Sequence, residues 1–173
     1  MKTVIERRLH LMMQQNPLRT NFQEHYENVV HEYNNEKNRV VIERTFEELI
    51  KFAESLDQES KRAIRDGLDE ESLAIFDLLI KPELSKEDIS RIKKVACDLL
   101  SHLKAEQLRI DNWKEKETTR DSIKSEINNW LYGETTGLPM SYTEEEVIQK
   151  VNLIYEHIFN VYDSTNPSIY AVA

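Results

Sequence analysis

The groups in this chain able to bind a metal or move a proton are five histidines, one cysteine and a surplus of carboxylates, and their spacing decides what they can do. A metal site needs ligands that converge, at i and i+4 on one helix face or on facing elements. His25 and His31 are six residues apart, on different helical faces, and neither an H-E-x-x-H run nor a His/Cys pair occurs. A small metal-dependent hydrolase would have to draw on these two histidines and neighbouring glutamates, a set the spacing does not gather. His102 and His157 border apolar stripes, which assigns them to packing or hydrogen bonding rather than proton transfer. General acid–base work needs two carboxylates in contrasting environments within a cleft. Here the carboxylates spread over solvent-facing helix surfaces, and Glu144, Glu145 and Glu146 gather at a helix start, where the macrodipole favours negative charge. Glu59-Ser60-Lys61 has the E-x-K form of a metal-dependent nuclease tail but falls in a helix rather than on a strand behind an Asp. Cys97 has no second cysteine to pair with, and its apolar neighbours mark it as a small buried side chain in a reducing compartment. No catalytic, cofactor-binding or metal-binding residue is expected.

What remains is a binding chemistry. Lys104, Arg109, Lys114, Lys116, Arg120 and Lys124 surround Trp113, and Lys116, Arg120 and Lys124 recur at i and i+4, where like charges repel by a few tenths of a kcal/mol. Either a partner relieves them, nucleic acid phosphate or an acidic protein surface, or the interspersed Glu115, Glu117 and Asp121 do. The chain as a whole is acidic, at −9, which argues against a surface built chiefly to neutralise phosphates. Residues 91–124 stand out, with nine basic against six acidic side chains, where 43–88 carry seven against fourteen and 125–173 one against seven.

Composition excludes further classes. Three glycines, Gly67, Gly133 and Gly137, cannot write a G-x-G-x-x-G turn or a G-x-x-x-x-G-K-[ST] phosphate loop, so a self-contained nucleotide-hydrolysing motor is ruled out. No apolar run approaches the roughly 20 residues that cross a bilayer, and Glu6, Arg7 and Arg8 interrupt the place where a signal peptide would be apolar. A cytoplasmic protein with no membrane partner is expected.

The elements that position these residues read as helices. Apolar residues recur at intervals of three and four with hardly any alternation, which predicts an all-α, bundle-like or orthogonal array of about seven or eight helices with short connections. A first helix over 3–15 carries Ile5, Leu9 and Met12 or Met13 and stops before Pro17. A second starts at Thr20, with Gln23 completing a capping box, and shows Phe22, Tyr26, Val29 or Val30 and Tyr33 on one face. After a polar turn over 34–39, Ile42, Phe46, Leu49, Ala53 and Leu56 form a third stripe. Asp57 is expected to cap a short helix that holds Ala63 and Ile64 and ends at Gly67. Asp69 starts a helix with Leu73, Phe76, Leu79 and Ile80, and Ser85 with Asp88 starts one bearing Ile89, Ile92, Ala96, Leu99 and Leu103. Periodicity lapses over 108–116, resumes with Ile123, Ile127, Trp130 and Leu131 up to Gly133, and returns after a loop behind Thr143 and Glu146, with Val147, Val151, Ile154 or Tyr155, and Ile158. Residues 163–173 read as a frayed tail.

Several of these segments together resemble one family. Asn16-Pro17-Leu18-Arg19 leading into Phe22 and Tyr26, then Glu32-Tyr33-Asn34, Phe46-Glu47-Glu48-Leu49 and the run from Arg65-Asp66-Gly67 to Leu78-Leu79 resemble, in that order, the C-terminal part of the restriction (R) subunit of type I restriction-modification enzymes. Ile92-Lys93-Lys94-Val95-Ala96 with Leu99-Leu100, followed by Trp113, Lys114, Lys116, Thr119 and Arg120, is similar to the family's closing motif of an Asp-Trp pair, basic residues and a Thr-Arg step. Asn112 separates Asp111 from Trp113, where the family has the pair adjacent, and the loop from Gly133 to Pro139 finds no match.

The resemblance implies a fragment: residues 1–15 a helix connecting from an upstream region, 16–162 a helical C-terminal domain, and 163–173 a tail. It implies no activity in the fragment itself, with ATP and Mg2+ belonging to the upstream nuclease and motor domains of a parent ATP-dependent endonuclease. The expected partners are the methyltransferase and specificity subunits, onto which this part would dock, and DNA through the parent complex. Lys104, Arg109, Trp113, Lys114, Lys116, Arg120 and Lys124 are the expected contact residues. The alternative is a freestanding helical adaptor or dimerisation module, with the stripes on 38–56 and 85–103 paired between chains.

Overall fold

The computed structural model describes residues 2–35, 39–162 and 169–172. Eight α-helices and two short 3-10 turns occur among them, and no strand, so the chain is all-α as its periodicity predicts. The helices are α1 (Lys2–Gln15), α2 (Thr20–Asn35), α3 (Arg39–Ser60), α4 (Arg62–Asp66), α5 (Glu70–Leu79), α6 (Lys86–Glu106), α7 (Glu117–Tyr132) and α8 (Glu144–Val161). They divide into two compact units, Met1–Gly67 and Leu68–Ala173. No helix among the described residues is long and apolar enough to cross a membrane.

In the first unit, Ile5, Leu9 and Met12 of α1, Tyr26 and Val29 of α2, and Leu49, Phe52 and Leu56 of α3 bury one another. Each such side chain contributes roughly 1.5–3 kcal/mol when fully withdrawn from water. Leu49 and Leu56 of the expected α3 stripe are buried and Ala53 packs against them, but the buried face is turned away from Phe46. Phe46 is 45% exposed, while Thr45 and Phe52 are buried. Stripes through 46 and 53 or through 45 and 52 share Leu49 and Leu56, so periodicity cannot separate them. The aromatics of α2 decide: the Phe52 ring lies 5.7 Å from that of Tyr26 and 6.3 Å from that of Phe22, and the buried Thr45 hydroxyl donates to the Ile42 carbonyl. The start of α2 also differs. A 3-10 turn over Pro17–Arg19 precedes it, capped by the Asn16 side chain, which accepts from Leu18 N at 3.1 Å. Thr20 has helical dihedrals and cannot cap, and Gln23 donates to Glu27 instead. Residues 36–38 of the expected polar turn lie outside the described residues.

Asp57 is likewise no cap; α3 runs through it to Ser60, and its carboxylate pairs with Arg8 of α1. Gly67 ends α4 as expected, in the left-handed conformation (φ 72°) with its N–H on the Ala63 and Ile64 carbonyls. Ala63 is buried, but Ile64 is 81% exposed. Glu59 of the E-x-K triplet accepts from Arg19 Nε at 3.0 Å and from Arg62 Nε at 2.9 Å. Because the Arg19 side chain is only 3% exposed, this carboxylate serves to neutralise a buried guanidinium.

In the second unit α5 neighbours α6 and α8, α6 neighbours α7, and α7 neighbours α8, which closes a four-helix ring. Every residue of α5 from Ser72 to Leu79 is buried, six apolar side chains together with Ser72 and Asp77, so neighbours cover this helix on all sides. Asp69 caps it by accepting from Ser72 N at 2.6 Å, and Ser85 caps α6 by accepting from Asp88 N at 3.0 Å. Thr143 and Glu146 form the expected reciprocal capping box on α8. The last carbonyls of α5 are taken up from outside the helix. Lys150 Nζ donates to Leu78 O (2.7 Å) and Ile80 O (3.1 Å), and the Tyr142 hydroxyl donates to Leu79 O (2.8 Å). Burial lowers the Lys150 pKa and raises that of Tyr142. The stripe Ile92, Ala96, Leu99 and Leu103 lies in this unit's own core, as Leu49 and Leu56 lie in the first, so these residues are not left for pairing between chains.

Gly137 is required by a close approach: a Cβ there would stand 2.4 Å from both the Gly133 and Leu131 carbonyl oxygens. Gly133 ends α7 in extended rather than left-handed conformation. Of the expected tail, residues 163–168 and 173 lie outside the described residues, while Ile169–Val172 form a 3-10 turn whose Tyr170 hydroxyl lies 3.2 Å from His157 Nε2.

Candidate interaction site on α7 and α8

Residues 107–116 connect α6 to α7 as consecutive turns, where periodicity lapses. Asn112, which parts Asp111 from Trp113, takes φ 53°, a left-handed conformation that Asn accepts more readily than most residues. Trp113 follows it into the core. Its side chain is 0% exposed and meets the Phe159 ring of α8 edge-on, with centroids 5.9 Å apart. The expected contact residue is therefore a packing anchor, and its cations are what reach the surface. Lys116 Nζ donates to Asp111 O at 3.0 Å and Arg120 Nη1 to Lys114 O at 2.6 Å, so these two hold the connecting segment to the start of α7. Lys114 Nζ sits 5.3 Å from the Phe159 ring centroid, and Lys124 Nζ 5.9 Å from that of Tyr155. Arg109 is exposed. Lys104 stands apart from this group, paired with Glu71 at 2.7 Å, the same carboxylate oxygen that accepts from the Tyr162 hydroxyl.

Alongside Lys124 runs an open groove of about 470 Å3, lined by Asp121, Lys124, Ser125, Asn128 and Asn129 of α7 and by Ile148, Val151 and Asn152 of α8. Ile148 is 52% exposed there. Ser125 and Asn129 are exposed and Asn128 and Asn152 half-buried, and among the described residues none of the four has a side-chain hydrogen bond to another protein group, so four polar groups line the groove where a partner can reach them. Composition did not single them out. The available signal was local: serine and asparagine favour caps and turns, yet these four lie inside helices.

Four of the five histidines lie against neighbours of their own unit, and His10 is exposed. His25 is exposed beside the Phe52 ring at 5.4 Å, and His31 contacts the Asn35 amide. His102 stacks on Trp130 at 4.7 Å and approaches Glu126 at 3.3 Å. His157 is buried, and desolvation pulls its pKa down to about 4. No group of three or more His, Cys, Asp or Glu side chains among the described residues converges to hold a metal ion. Cys97 is half-buried rather than buried.

A family model described as the C-terminal region of type I restriction enzyme HindI endonuclease subunit-like proteins matches residues 1–162. The chain belongs to this family. The C-terminal region so defined is similar to a Methanocaldococcus jannaschii protein described as a type I restriction enzyme MjaIXP endonuclease subunit, 24% identical over 160 residues. That match covers 89% of this chain and 14% of the relative, so the chain spans about a seventh of the protein it resembles. No solved structure matches it.

Proposed function

We propose that this C-terminal region of a type I restriction endonuclease subunit is a non-catalytic assembly domain. It docks the ATP-dependent, DNA-translocating endonuclease onto the methyltransferase–specificity core, in the cytoplasm. Bond breaking, with ATP and Mg2+, belongs in this reading to other parts of the subunit. The observation that carries it is the outer surface of α7 and α8, where unpaired carboxamides, the exposed Ile148 and the Lys114 and Lys124 cations share one open face. Such a face of polar groups around one exposed apolar side chain suits a macromolecular partner.

Co-purification tests this directly. Residues 1–173, mixed at micromolar concentration with a cognate methyltransferase–specificity complex, are expected to elute with it from a sizing column. Separate elution at that concentration contradicts the docking role, as does ATP hydrolysis or plasmid nicking by the purified chain.

A further inference from the structure

The α7–α8 groove carries enough detail to name the kind of segment it takes. Carboxamides both donate and accept, which is the pattern a peptide main chain presents. A partner helix has already spent its backbone N–H and C=O groups internally, whereas an extended segment offers them outward. From Asp121 to Asn129 the groove follows nine residues of α7, eight rises or about 12 Å at 1.5 Å per residue, enough for three or four extended residues at about 3.3 Å each. Ser125, Asn128 and Asn129 line one wall over about half that length, Asn152 faces them from α8, and Ile148 and Val151 give an apolar wall for one side chain. Asp121 adds an acceptor for a main-chain N–H.

Charge fixes the rest. Lys124 lines the groove, Lys116 and Arg120 lie toward the α7 N-terminus, and Lys114 stands over Phe159 nearby. The positive end of the α7 dipole adds to them. With Glu115, Glu117 and Asp121 counted, residues 114–124 carry four basic against three acidic side chains, a small positive excess beside the one against seven of residues 125–173, so an acidic segment is drawn to this end rather than to the rest of the unit. The exposed Ile148 gains little from phosphates, which favours protein over nucleic acid.

We propose that the α7–α8 groove holds an extended segment of a protein partner, pairing its main chain with Ser125, Asn128, Asn129 and Asn152 and its acidic flank with Lys124 and Lys114. This rests on the docking role above, and places the segment on the methyltransferase–specificity complex.

The test uses Asn128→Ala combined with Asn152→Ala. Alanine is the better helix former, so the double variant is expected to melt at or above the temperature of the unaltered chain. Its affinity for the methyltransferase–specificity complex, measured by calorimetry, is expected to fall about tenfold, the loss of two or so main-chain hydrogen bonds. Lys124→Glu is expected to weaken binding as well. Full affinity in the folded double variant overturns the groove while leaving docking intact. No binding by the unaltered chain overturns both. A fall of about a thousandfold between 50 and 200 mM salt, or displacement of the complex by duplex DNA, overturns the protein segment in favour of a polyanion.

Discussion

Replacing Trp113 with alanine separates two accounts of the basic segment. As a surface anchor for a partner, Trp113 could be truncated within about 0.5 kcal/mol of stability. The structure instead gives it no exposed surface and an edge-on contact with Phe159. Truncating a fully buried Trp costs about 3–5 kcal/mol, through lost transfer energy and the cavity left behind. A domain of this size has only about 5–15 kcal/mol in total, so the variant's second unit should stand near the edge of folding. Urea titration at 25 °C reads this. With a slope of about 2 kcal/mol per molar, the midpoint should drop by about 2 M. Trp130, half-buried on His102, remains as the fluorescence reporter in the variant. Trp113→Phe keeps a ring against Phe159 and removes an indole N–H that has no hydrogen-bond partner among the described residues, so it should cost well under half as much. A midpoint shift below about 0.3 M for Trp113→Ala would refute the buried placement, and with it the reading of Trp113 as a packing anchor rather than a contact residue.

Gly137→Ala should destabilise the second unit by about 1–3 kcal/mol, because the added Cβ would lie 2.4 Å from two carbonyl oxygens that belong to the backbone; differential scanning calorimetry that finds no change would mean the loop closes differently. His157, with its pKa drawn from 6.5 down to about 4 by burial, is neutral in the folded chain while the unfolded chain takes up a proton below pH 6.5. Stability should therefore fall by about 3 kcal/mol as pH drops from 6.5 to 4. His157→Gln should flatten that part of the pH profile, and an unchanged slope would place the loss on other groups.

Much of the helical framework was legible because its ends carry local chemistry. Asp69, Ser85 and Thr143 each accept from the backbone N–H three residues on, and Gly67 takes the left-handed turn, all within reach of sequence rules. The misses arose where tertiary contact overrides a local signal. Asn16 outcompetes Thr20 because the chain enters α2 through a 3-10 turn, and Phe52 outcompetes Phe46 because the α2 aromatics lie on its side. At the candidate site the cations were visible, but the inward turn of Trp113 depends on the unusual backbone of Asn112 and on Phe159, 46 positions later. The groove was invisible because Asn128 and Asn152 meet only when α7 packs on α8.

The claim that this domain joins an endonuclease subunit to its methyltransferase core is tested most directly by competition. Added in excess to an assembled cognate restriction complex, the chain should occupy the docking site, so that ATP-dependent DNA cleavage falls while methylation by the same complex continues unchanged. Cleavage that persists at every concentration up to tens of micromolar would contradict it.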